Sequence, residues 1–255
     1  MVDYKLGMKK YDMEKYWNKR AKEGNNIYQK VCVYNASSQF NKMMNKIQKN
    51  CLNTLLKYIP IIENKNILEV GCGTGRWAKY MLNKNVNYYG VDISPMMLDI
   101  AKTNVPEGNF FLTDGGKLNF SNNYFDLVFT ITVLHHIPYD KKKNMIREIC
   151  RVTKNDGHII IIEDVCFKKI KNIFNMFPLS PYEWIATFNR YGYNCIKIIK
   201  HKFHQKYLLS ITENFPKFTN NLFFEVIWIE GVEKLATAIL PWKYFNGCGN
   251  IFRKI

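Results

Sequence analysis

Short apolar runs alternate with helical stretches along the chain between residues 66 and 200. Six of these runs predict β-strands, at residues 66–70, 87–92, 109–112, 124–131, 157–163 and 193–200. The stretches between them predict helices, at residues 74–83, 95–103, 139–152 and 181–191. Two of these helices begin at a proline that follows a serine, at Ser94-Pro95 and Ser180-Pro181. A capping hydroxyl followed by a proline at the first helical position is a typical helix start. Strands separated by helices pair in parallel through right-handed crossovers, so the sequence predicts an α/β fold with helices on both faces of a sheet.

The flanks of this region have a different character. Residues 8–24 predict a short helix that ends at Gly24, and residues 36–59 predict an amphipathic helix that stops at Pro60. Residues 203–246 predict a helical insertion before a last strand. We therefore divide the chain into an N-terminal helical segment, an α/β core, an insertion and a closing strand, at residues 1–60, 61–202, 203–246 and 247–255.

Several classes of protein are excluded by composition. The longest apolar run spans about four residues, as from Ile159 to Ile162, whereas a membrane-spanning helix needs roughly 20. The first ten residues contain lysines but no apolar core of the kind that a secretory signal has. We therefore expect a cytoplasmic protein without a membrane span. The seven cysteines are odd in number and contain no CxxC pair, so we expect neither a disulfide framework nor a metal site.

The formal net charge of +16 is concentrated in the flanks. Residues 1–60 and 166–255 each carry a net charge of +8, whereas residues 61–165 are neutral. Lysine-rich flanks are compatible with a polyanionic partner such as nucleic acid. The chain is also rich in Asn and Ile, which an AT-rich genome would favour together with Lys. We prefer this compositional origin and keep a polyanion such as nucleic acid, or a membrane surface, as the alternative partner.

The most informative segment is the loop that follows the first predicted strand. Gly71, Gly73 and Gly75 alternate with other residues before the next helix begins. Glycines let the chain turn tightly and bring its backbone N–H groups close to a ligand. Asp92 follows Gly71 by 21 residues, at the end of the second strand, where a carboxylate can accept both hydroxyls of a ribose. A nucleoside-containing ligand is the natural interpretation.

The spacing of the glycines distinguishes between nucleosides. A dinucleotide loop has the pattern GxGxxG, whereas this loop has GxGxG with Glu69 two residues before its first glycine. A carboxylate at this position would repel a pyrophosphate but suits a cationic amino-acid moiety. The pattern therefore disfavours a nicotinamide oxidoreductase.

Four motifs in order resemble those of one enzyme family. The segments ILEVGCGTG, GVDIS, FFLTDGGKLNFSNNYFDLVFTITVLHHI and REICRVTKNDGHIIIIED are similar to the motif series of class I S-adenosylmethionine-dependent methyltransferases, in particular the small-molecule type 11 group. The resemblance covers about residues 60–200. It implies a Rossmann-like fold with a mostly parallel seven-stranded sheet, S-adenosyl-L-methionine as the cofactor and methyl transfer as the activity.

The resemblance also implies positions for the cofactor. Backbone groups of Gly71, Cys72 and Gly73 would line its methionine part, and Glu69 would hold its ammonium. Asp92 would bind the ribose hydroxyls, and Ile93 and Met97 would pack on the adenine. Asp114 would accept from the adenine amino group, with the backbone amide of Gly115 beside it. Thr130 would approach the methionine end. Asp114-Gly115-Gly116 is also a turn sequence. Cys72 is more readily interpreted as a small loop residue than as a nucleophile.

His135 and His136 follow the fourth predicted strand and are the candidate general bases. Transfer from a sulfonium is an in-line displacement, so a base is needed only for an acceptor that must lose a proton. A histidine with an ordinary pKa suits this role at neutral pH, and we place His136 slightly ahead of His135. The alternative is a purely structural role, because a Leu-His-His-Ile sequence at this position also occurs in the family as loop architecture.

The N-terminal helix and the insertion are candidate covers for the site. Trp17 lies in an aromatic stretch that resembles a segment lying across the cofactor in relatives, where Arg20 would pair with the cofactor carboxylate. The alternative for this stretch is a solvated helix face. Aromatic residues of the insertion would form an apolar lid or the insertion's own core, namely Phe223, Phe224, Trp228 and Trp242. The run of lysines at residues 141–143 is interpreted as a solvated turn.

The leading hypothesis is a methyltransferase acting on an O or N atom of a small molecule or biosynthetic intermediate. The chain lacks the Asp/Asn-Pro-Pro-Tyr sequence of nucleobase amino-methylating enzymes and the Pro-Cys nucleophile of pyrimidine carbon methylation. The alternatives are an RNA methyltransferase and a cofactor-binding partner protein without catalysis of its own. The acceptor and the oligomeric state remain open at this point.

Overall fold

The structure is a computed structural model that describes residues 11–24, 27–32, 38–166, 175–203 and 245–254. Most of the predicted insertion, including its four large aromatic residues, therefore lies outside the described residues. Its suggested role as a lid stays a prediction.

A seven-stranded sheet forms the centre of the described chain. Its strands are β1 (Asn66–Val70), β2 (Asn87–Asp92), β3 (Asn109–Leu112), β4 (Phe125–Ile131), β5 (Thr153–Asp164), β6 (Tyr193–Phe203) and β7 (Phe245–Lys254). The spatial order is β3-β2-β1-β4-β5-β7-β6. The first five of these positions pair in parallel, and β7 runs antiparallel to both β5 and β6. The predicted mostly parallel α/β sheet of seven strands is confirmed.

Helices cover the sheet and precede it. They are α1 (Met13–Glu23), α2 (Ile27–Val31), α3 (Ser38–Leu56), α4 (Ala78–Leu82), α5 (Pro95–Asn104), α6 (Tyr139–Val152) and α7 (Pro181–Asn189). Ser94 caps α5 by accepting from the N–H of Met97, and Ser180 forms a reciprocal capping box with Glu183 at the start of α7. Both serine-proline starts are confirmed.

Some boundaries differ from the prediction for local reasons. Helix α4 begins at Ala78 rather than at residue 74, because the chain is still turning through the positive φ angles of Gly73 and Gly75. Helix α2 is not predicted from the sequence. The strands β6 and β7 are longer than predicted, because each pairs with the other from Tyr193↔Lys254 to Phe203↔Phe245.

The core has two halves, one on each face of the sheet. The run from Ile159 to Ile162 contributes to both, because successive side chains of a strand point to opposite faces. Ile160 and Ile162 pack on the face covered by α3, and Ile159 and Ile161 on the face covered by α6 and α7. This arrangement explains why β5 is continuously apolar and places the carboxyl ends of the parallel strands along one edge.

Candidate active site

A cavity lies at the carboxyl ends of β1, β2 and β4, with a volume of about 840 Å³ that includes the part open to solvent. This edge is where open α/β sheets bind ligands. Ten predicted site residues line it, namely Trp17, Glu69, Gly71, Cys72, Gly73, Asp92, Ile93, Met97, Gly115 and His136. The lining residues that sequence reasoning missed include Met13, Val31, Arg76, Thr132, Val133, Ile137 and Met145.

The glycine loop after β1 has a backbone conformation that residues other than glycine rarely adopt. Gly71, Gly73 and Gly75 have φ angles of 76°, 52° and 75°, all in the left-handed region. A Cβ on Gly71 would lie 2.4 Å from a methyl carbon of Val133, and one on Gly73 would lie 2.9 Å from a methyl carbon of Val31. These positions therefore require glycine both for backbone conformation and for close packing.

Asp92 connects the end of β2 to this loop. One carboxylate oxygen accepts from the N–H of Gly73 at 2.8 Å, and the other accepts from the N–H of Ser94 at 2.9 Å. Burial raises the pKa of Asp92, while these backbone donors act in the opposite direction. Each carboxylate oxygen has a further lone pair, so the group can accept additional hydroxyl donors from the cavity.

Glu69 is a second buried carboxylate at the cavity wall. The hydroxyl of Tyr88 donates to its Oε2 at 2.5 Å. Burial raises the pKa of Glu69 to about 8, against the opposing effects of Tyr88 and Arg76. Gly90 makes this contact possible, because a Cβ at Gly90 would lie 2.9 Å from the Tyr88 hydroxyl. The Glu69 side chain is therefore largely neutral at neutral pH until a cation approaches it.

Arg76 is the cationic side chain at the cavity wall. Its Nη1 donates to Gln48 Oε1 at 2.8 Å and to Asn45 Oδ1 at 3.2 Å, and its guanidinium lies 4.6 Å from the centre of the Trp77 ring. The residue follows the glycine loop directly, so its position next to Glu69 follows from the same turn. The sequence shows that an arginine follows the glycine loop. It does not show that Asn45 and Gln48 of α3 would bind this arginine, because their contact depends on the fold.

Cys72 is buried between the loop and β2. Cys72 packs closely against Gly90, because a Cβ added to Gly90 would lie only 3.0 Å from the Cβ and the Sγ of Cys72. Burial raises the pKa of the Cys72 thiol well above its usual range. A protonated, enclosed thiol agrees with the interpretation of Cys72 as a small loop residue.

The far end of the cavity is apolar. Gly115, with a φ of 75°, lies close to Ile93, since a Cβ on it would lie 3.1 Å from Ile93 Cδ1.

Asp114 is not part of the wall. Its Oδ1 accepts from the N–H groups of Gly116 and Lys117 at 2.8 and 2.9 Å, which hold its pKa below the usual value. The turn interpretation therefore describes Asp114 in this structure.

His136 lines the cavity from a single 3₁₀ turn, Leu134–His136, that follows β4. Its Nδ1 lies 2.7 Å from the carbonyl oxygen of Asn175. Because a carbonyl only accepts, Nδ1 carries the hydrogen and Nε2 carries a lone pair. Burial, followed by neighbouring His135, lowers the pKa of His136 to about 3. The ring is thus a neutral hydrogen-bond acceptor.

His135 belongs to a buried network behind this turn. Its Nδ1 donates to Glu163 Oε2 at 2.7 Å. The same carboxylate accepts from the backbone N–H groups of Val133, Leu134 and His135 at 3.1 to 3.2 Å. Glu163 was not singled out from the sequence, since it reads as the end of an apolar strand. The structural role described above therefore applies to His135.

The structure corrects the expectation for Thr130. Side chains alternate along β4, and it is Ile131 that faces the cavity. Thr130 points to the other face, where its hydroxyl lies 3.4 Å from Glu163 Oε1. The next polar side chain on the wall is Thr132, whose φ of 57° lies in the left-handed region.

Helix α1 lies over the cavity and contacts His136. The rings of Trp17 and His136 meet edge to face at 5.1 Å. Arg20 is buried and does not line the cavity. Its guanidinium donates to the carbonyl oxygen of Cys32 at 2.7 Å and lies 5.6 Å from the Trp17 ring centre. Arg20 thus links α1 to Cys32, the residue that follows α2, whereas Arg76 lines the cavity.

No metal site competes with this interpretation in the ranges that the structure describes. A search of those residues finds no group of three or more His, Cys, Asp or Glu side chains that could hold an ion. None of the described helices is long and apolar enough to cross a bilayer.

Comparison with known proteins identifies the core. Residues 68–161 match the family model described as a methyltransferase domain. This segment is therefore similar to methyltransferase domains. The methyltransferase domain so defined contains the glycine loop, Asp92 and the histidine turn.

Relatives and solved structures extend the similarity beyond this domain. An uncharacterized methyltransferase of Oceanobacillus iheyensis is 25% identical over 184 residues, covering 69% of this chain and 81% of its own. A malonyl-[acyl-carrier protein] O-methyltransferase of Buchnera aphidicola is 32% identical over 114 residues, or 45% of each chain. The chain spans about half the length of most curated relatives that it matches.

A solved structure shows the same fold. The putative methyltransferase in a complex with the Trm112 methyltransferase activator of Haloferax volcanii superposes with a TM-score of 0.62 at 13% identity, covering 93% of this chain and 97% of that one. At this identity the similarity concerns the fold around the methyltransferase domain.

Proposed function

We propose that this protein is an S-adenosylmethionine-dependent methyltransferase acting on an O or N atom of a small molecule. The observation that carries the proposal is the cavity in which a left-handed glycine loop meets the buried carboxylate of Asp92. The loop offers backbone close to a ligand, and Asp92 offers acceptors for a ribose. Both groups are at the sheet edge where nucleosides bind.

The residues of the cavity fit this cofactor. Gly71 and Gly73 line the cavity with backbone in a left-handed conformation, and Glu69 provides a buried carboxylate for an ammonium. Arg76 provides a guanidinium on the same wall for a carboxylate. When bound, the cofactor supplies a methyl group on a positively charged sulfur. Ile93, Met97 and Gly115 would hold the adenine.

His136 is the residue that we assign to the acceptor. Its Nε2 lone pair can accept a hydrogen bond from an O–H or N–H of the acceptor and orient that atom for in-line attack. A pKa of about 3 makes the ring a weak base. We therefore assign it mainly to orienting the acceptor, and the proton that the acceptor loses on methylation passes to Nε2 or to water. The ring of Trp17 shields this side of the cavity from water.

The acceptor class is inferred from the names of relatives and from the residues that line the cavity. Relatives named for demethylmenaquinone and for malonyl-[acyl-carrier protein] methylation act on metabolite-sized groups. The basic flanks favour RNA as a second candidate. We prefer a small molecule because the cavity around His136 is lined mainly by apolar side chains, including Ile137 and Val133.

Cofactor binding to an Asp92 variant tests the proposal. Calorimetric titration with S-adenosylhomocysteine should show micromolar binding, and Asp92→Asn should weaken it roughly 10- to 100-fold, because a charged acceptor of hydroxyl hydrogen bonds is lost. The matched control is Asp99→Asn, which changes an exposed carboxylate on α5. Circular dichroism checks folding, since Asp92 also accepts from Gly73 and Ser94.

Two results would contradict the proposal. One is the absence of binding to the folded wild-type protein. The other is equal affinity in the Asp92→Asn and Asp99→Asn variants. Methyl transfer itself is then measured with radiolabelled S-adenosylmethionine and candidate acceptors.

A further inference from the structure

A short segment at residues 175–179 packs against the histidine turn from outside the sheet. The carbonyl oxygen of Asn175 accepts from His136 Nδ1, and the N–H of Phe177 donates to the carbonyl oxygen of His135 at 2.6 Å. Asn175 has a φ of 61°, a left-handed conformation that Asn tolerates better than most residues. The segment thus contacts both histidines through backbone groups.

Two side chains at the start of α6 hold this segment in place. The ammonium of Lys142 donates to the carbonyl oxygen of Phe177, and the hydroxyl of Tyr139 donates to that of Pro178 at 3.0 Å. The Tyr139 and Phe177 rings also meet edge to face at 5.6 Å. The carbonyl that faces His136 is therefore two residues from a point fixed by α6.

Lys142 is buried, in contrast to the solvated turn expected for the lysine run. Only 2% of its surface is accessible, whereas Lys141 and Lys143 are exposed. Its Nζ lies 4.9 Å from the ring centre of Tyr139 and 5.3 Å from that of Trp184. Such an arrangement compensates part of the cost of burying an ammonium. The expectation of a solvated turn is wrong for Lys142 because three consecutive residues of a helix point in different directions, and Lys142 is the one that points inward.

We propose that Lys142 is a positioning residue for His136. By fixing the segment at residues 175–179, it keeps the Asn175 carbonyl against Nδ1 and so leaves Nε2 of His136 as the acceptor in the cavity. The inference rests on the proposed function only in assigning His136 to the acceptor. The position of the ring hydrogen is measurable without any substrate.

Other charged groups act on these two residues. His135, Asp164 and Arg20 influence His136 electrostatically, and Glu163 and Glu183 influence Lys142. Burial lowers the pKa of Lys142 to about 8. Measurements near pH 7 therefore keep Lys142 mostly charged and His136 neutral.

The test is the tautomer of His136 by nitrogen NMR. Long-range ¹H–¹⁵N spectra of the ligand-free protein report which ring nitrogen carries the hydrogen, and the His136→Gln spectrum assigns the signals. The wild type should be protonated at Nδ1. In Lys142→Met the ratio of Nε2-protonated to Nδ1-protonated ring should rise about threefold to tenfold, the effect expected from loosening one hydrogen bond.

Three further variants complete the experiment. Lys142→Arg should restore the wild-type ratio, and Lys143→Met, a change of the exposed neighbour, should not alter it. Tyr139→Phe removes the other contact from a partly exposed side chain and should shift the ratio in the same direction. This variant decides the question if Lys142→Met does not fold.

The inference is overturned if the wild type is protonated at Nε2, or if Lys142→Met folds and has the ratio of Lys143→Met. It is also overturned if Lys142→Met does not fold and Tyr139→Phe leaves the ratio unchanged. Loss of S-adenosylhomocysteine binding in the wild type would refute the proposed function and leave these tautomer results standing, so the two failures are distinguishable.

Discussion

Glu69 and Tyr88 form a buried hydrogen bond across β1 and β2, next to the cavity. The carboxylate accepts from the tyrosine hydroxyl, which reduces but does not cancel the cost of burying a negative charge. The ligand-free site therefore favours the protonated form of Glu69. A bound ammonium would reverse this preference, because an opposite charge favours the ionised carboxylate.

We predict that Glu69 makes the ligand-free protein less stable as pH rises. Its pKa is raised on folding from 4.5 to about 8. The favourable contribution of the protonated form is complete below pH 4.5 and is lost as pH rises through about 8. Between about pH 5 and pH 8, urea unfolding should show a loss of about 3 kcal/mol in the free energy of unfolding that Glu69→Gln removes.

The control for this experiment is Glu63→Gln, which changes an exposed carboxylate near the start of β1. It should leave the pH dependence of the wild type intact. Identical pH profiles for wild type and Glu69→Gln would show that Glu69 is ionised in the empty site.

The site residues that could be predicted from the sequence are those whose position is set by neighbouring residues along the chain. Asp92 follows a strand and the glycines precede a helix, so their common edge could be predicted from the sequence. Glu163 and Lys142 could not, because their partners come from 28 and 35 residues away and are known only from the fold. The same applies to Thr130, whose face depends on the register of β4.

Helix α1 is attached to the start of α5 through the side chain of Asn18, which accepts from two groups there, one of them the N–H of Met96 at 3.5 Å. Asn18 Oδ1 accepts from the hydroxyl of Ser94 at 2.6 Å, and Ser94 in turn caps α5. This contact places Met13 and Trp17 over the cavity. We propose that α1 closes the cofactor site on this side.

We predict that Asn18→Ala loosens α1 without unfolding the core. Binding of S-adenosylhomocysteine should weaken about threefold to tenfold, because the hydrogen bonds that Asn18 accepts from Ser94 and Met96 are lost. Trypsin should cleave faster within α1, which contains four cleavage sites, at Lys15, Lys19, Arg20 and Lys22. Calorimetry and timed digestion with mass spectrometry measure both effects.

The control is Lys19→Ala, on the exposed side of the same helix. It should leave affinity unchanged and remove a single cleavage site. Unchanged affinity in Asn18→Ala would show that α1 does not take part in the cofactor site.

Most helices and strands could be predicted from apolar periodicity and helix starts. Helix α2 could not, because its five residues are too few to show a period. The additional lengths of β6 and β7 depend on each other, since a strand extends as far as its neighbour offers hydrogen bonds. Tertiary pairing therefore decides where these elements end.

At the scale of the molecule, the positive charge of the sequence is concentrated outside the α/β core. The segment with no net charge contains the methyltransferase domain, and the two segments of +8 lie outside it. If the basic flanks reflect only composition, RNA binding should depend on salt and not on sequence.

We predict weak RNA binding without preference. In a filter-binding titration, affinity for tRNA should match that for an unrelated RNA of equal length and fall steeply between about 50 and about 200 mM salt. The double variant Lys141→Ala/Lys143→Ala, in the neutral segment, provides a reference for the loss of two exposed positive charges. A preference of about tenfold or more for tRNA that persists at high salt would favour the RNA alternative.

The position of β7 has a consequence for the order in which the protein can assemble. This strand is made after β6 but lies between β5 and β6 in the sheet, and the described pairings of β6 are all with β7. During translation, β1 to β5 can pair while β6 has emerged from the ribosome without a neighbour. Until residues 245–254 follow, the edge of β5 is open, and the nascent chain has to be protected there from unwanted strand pairing.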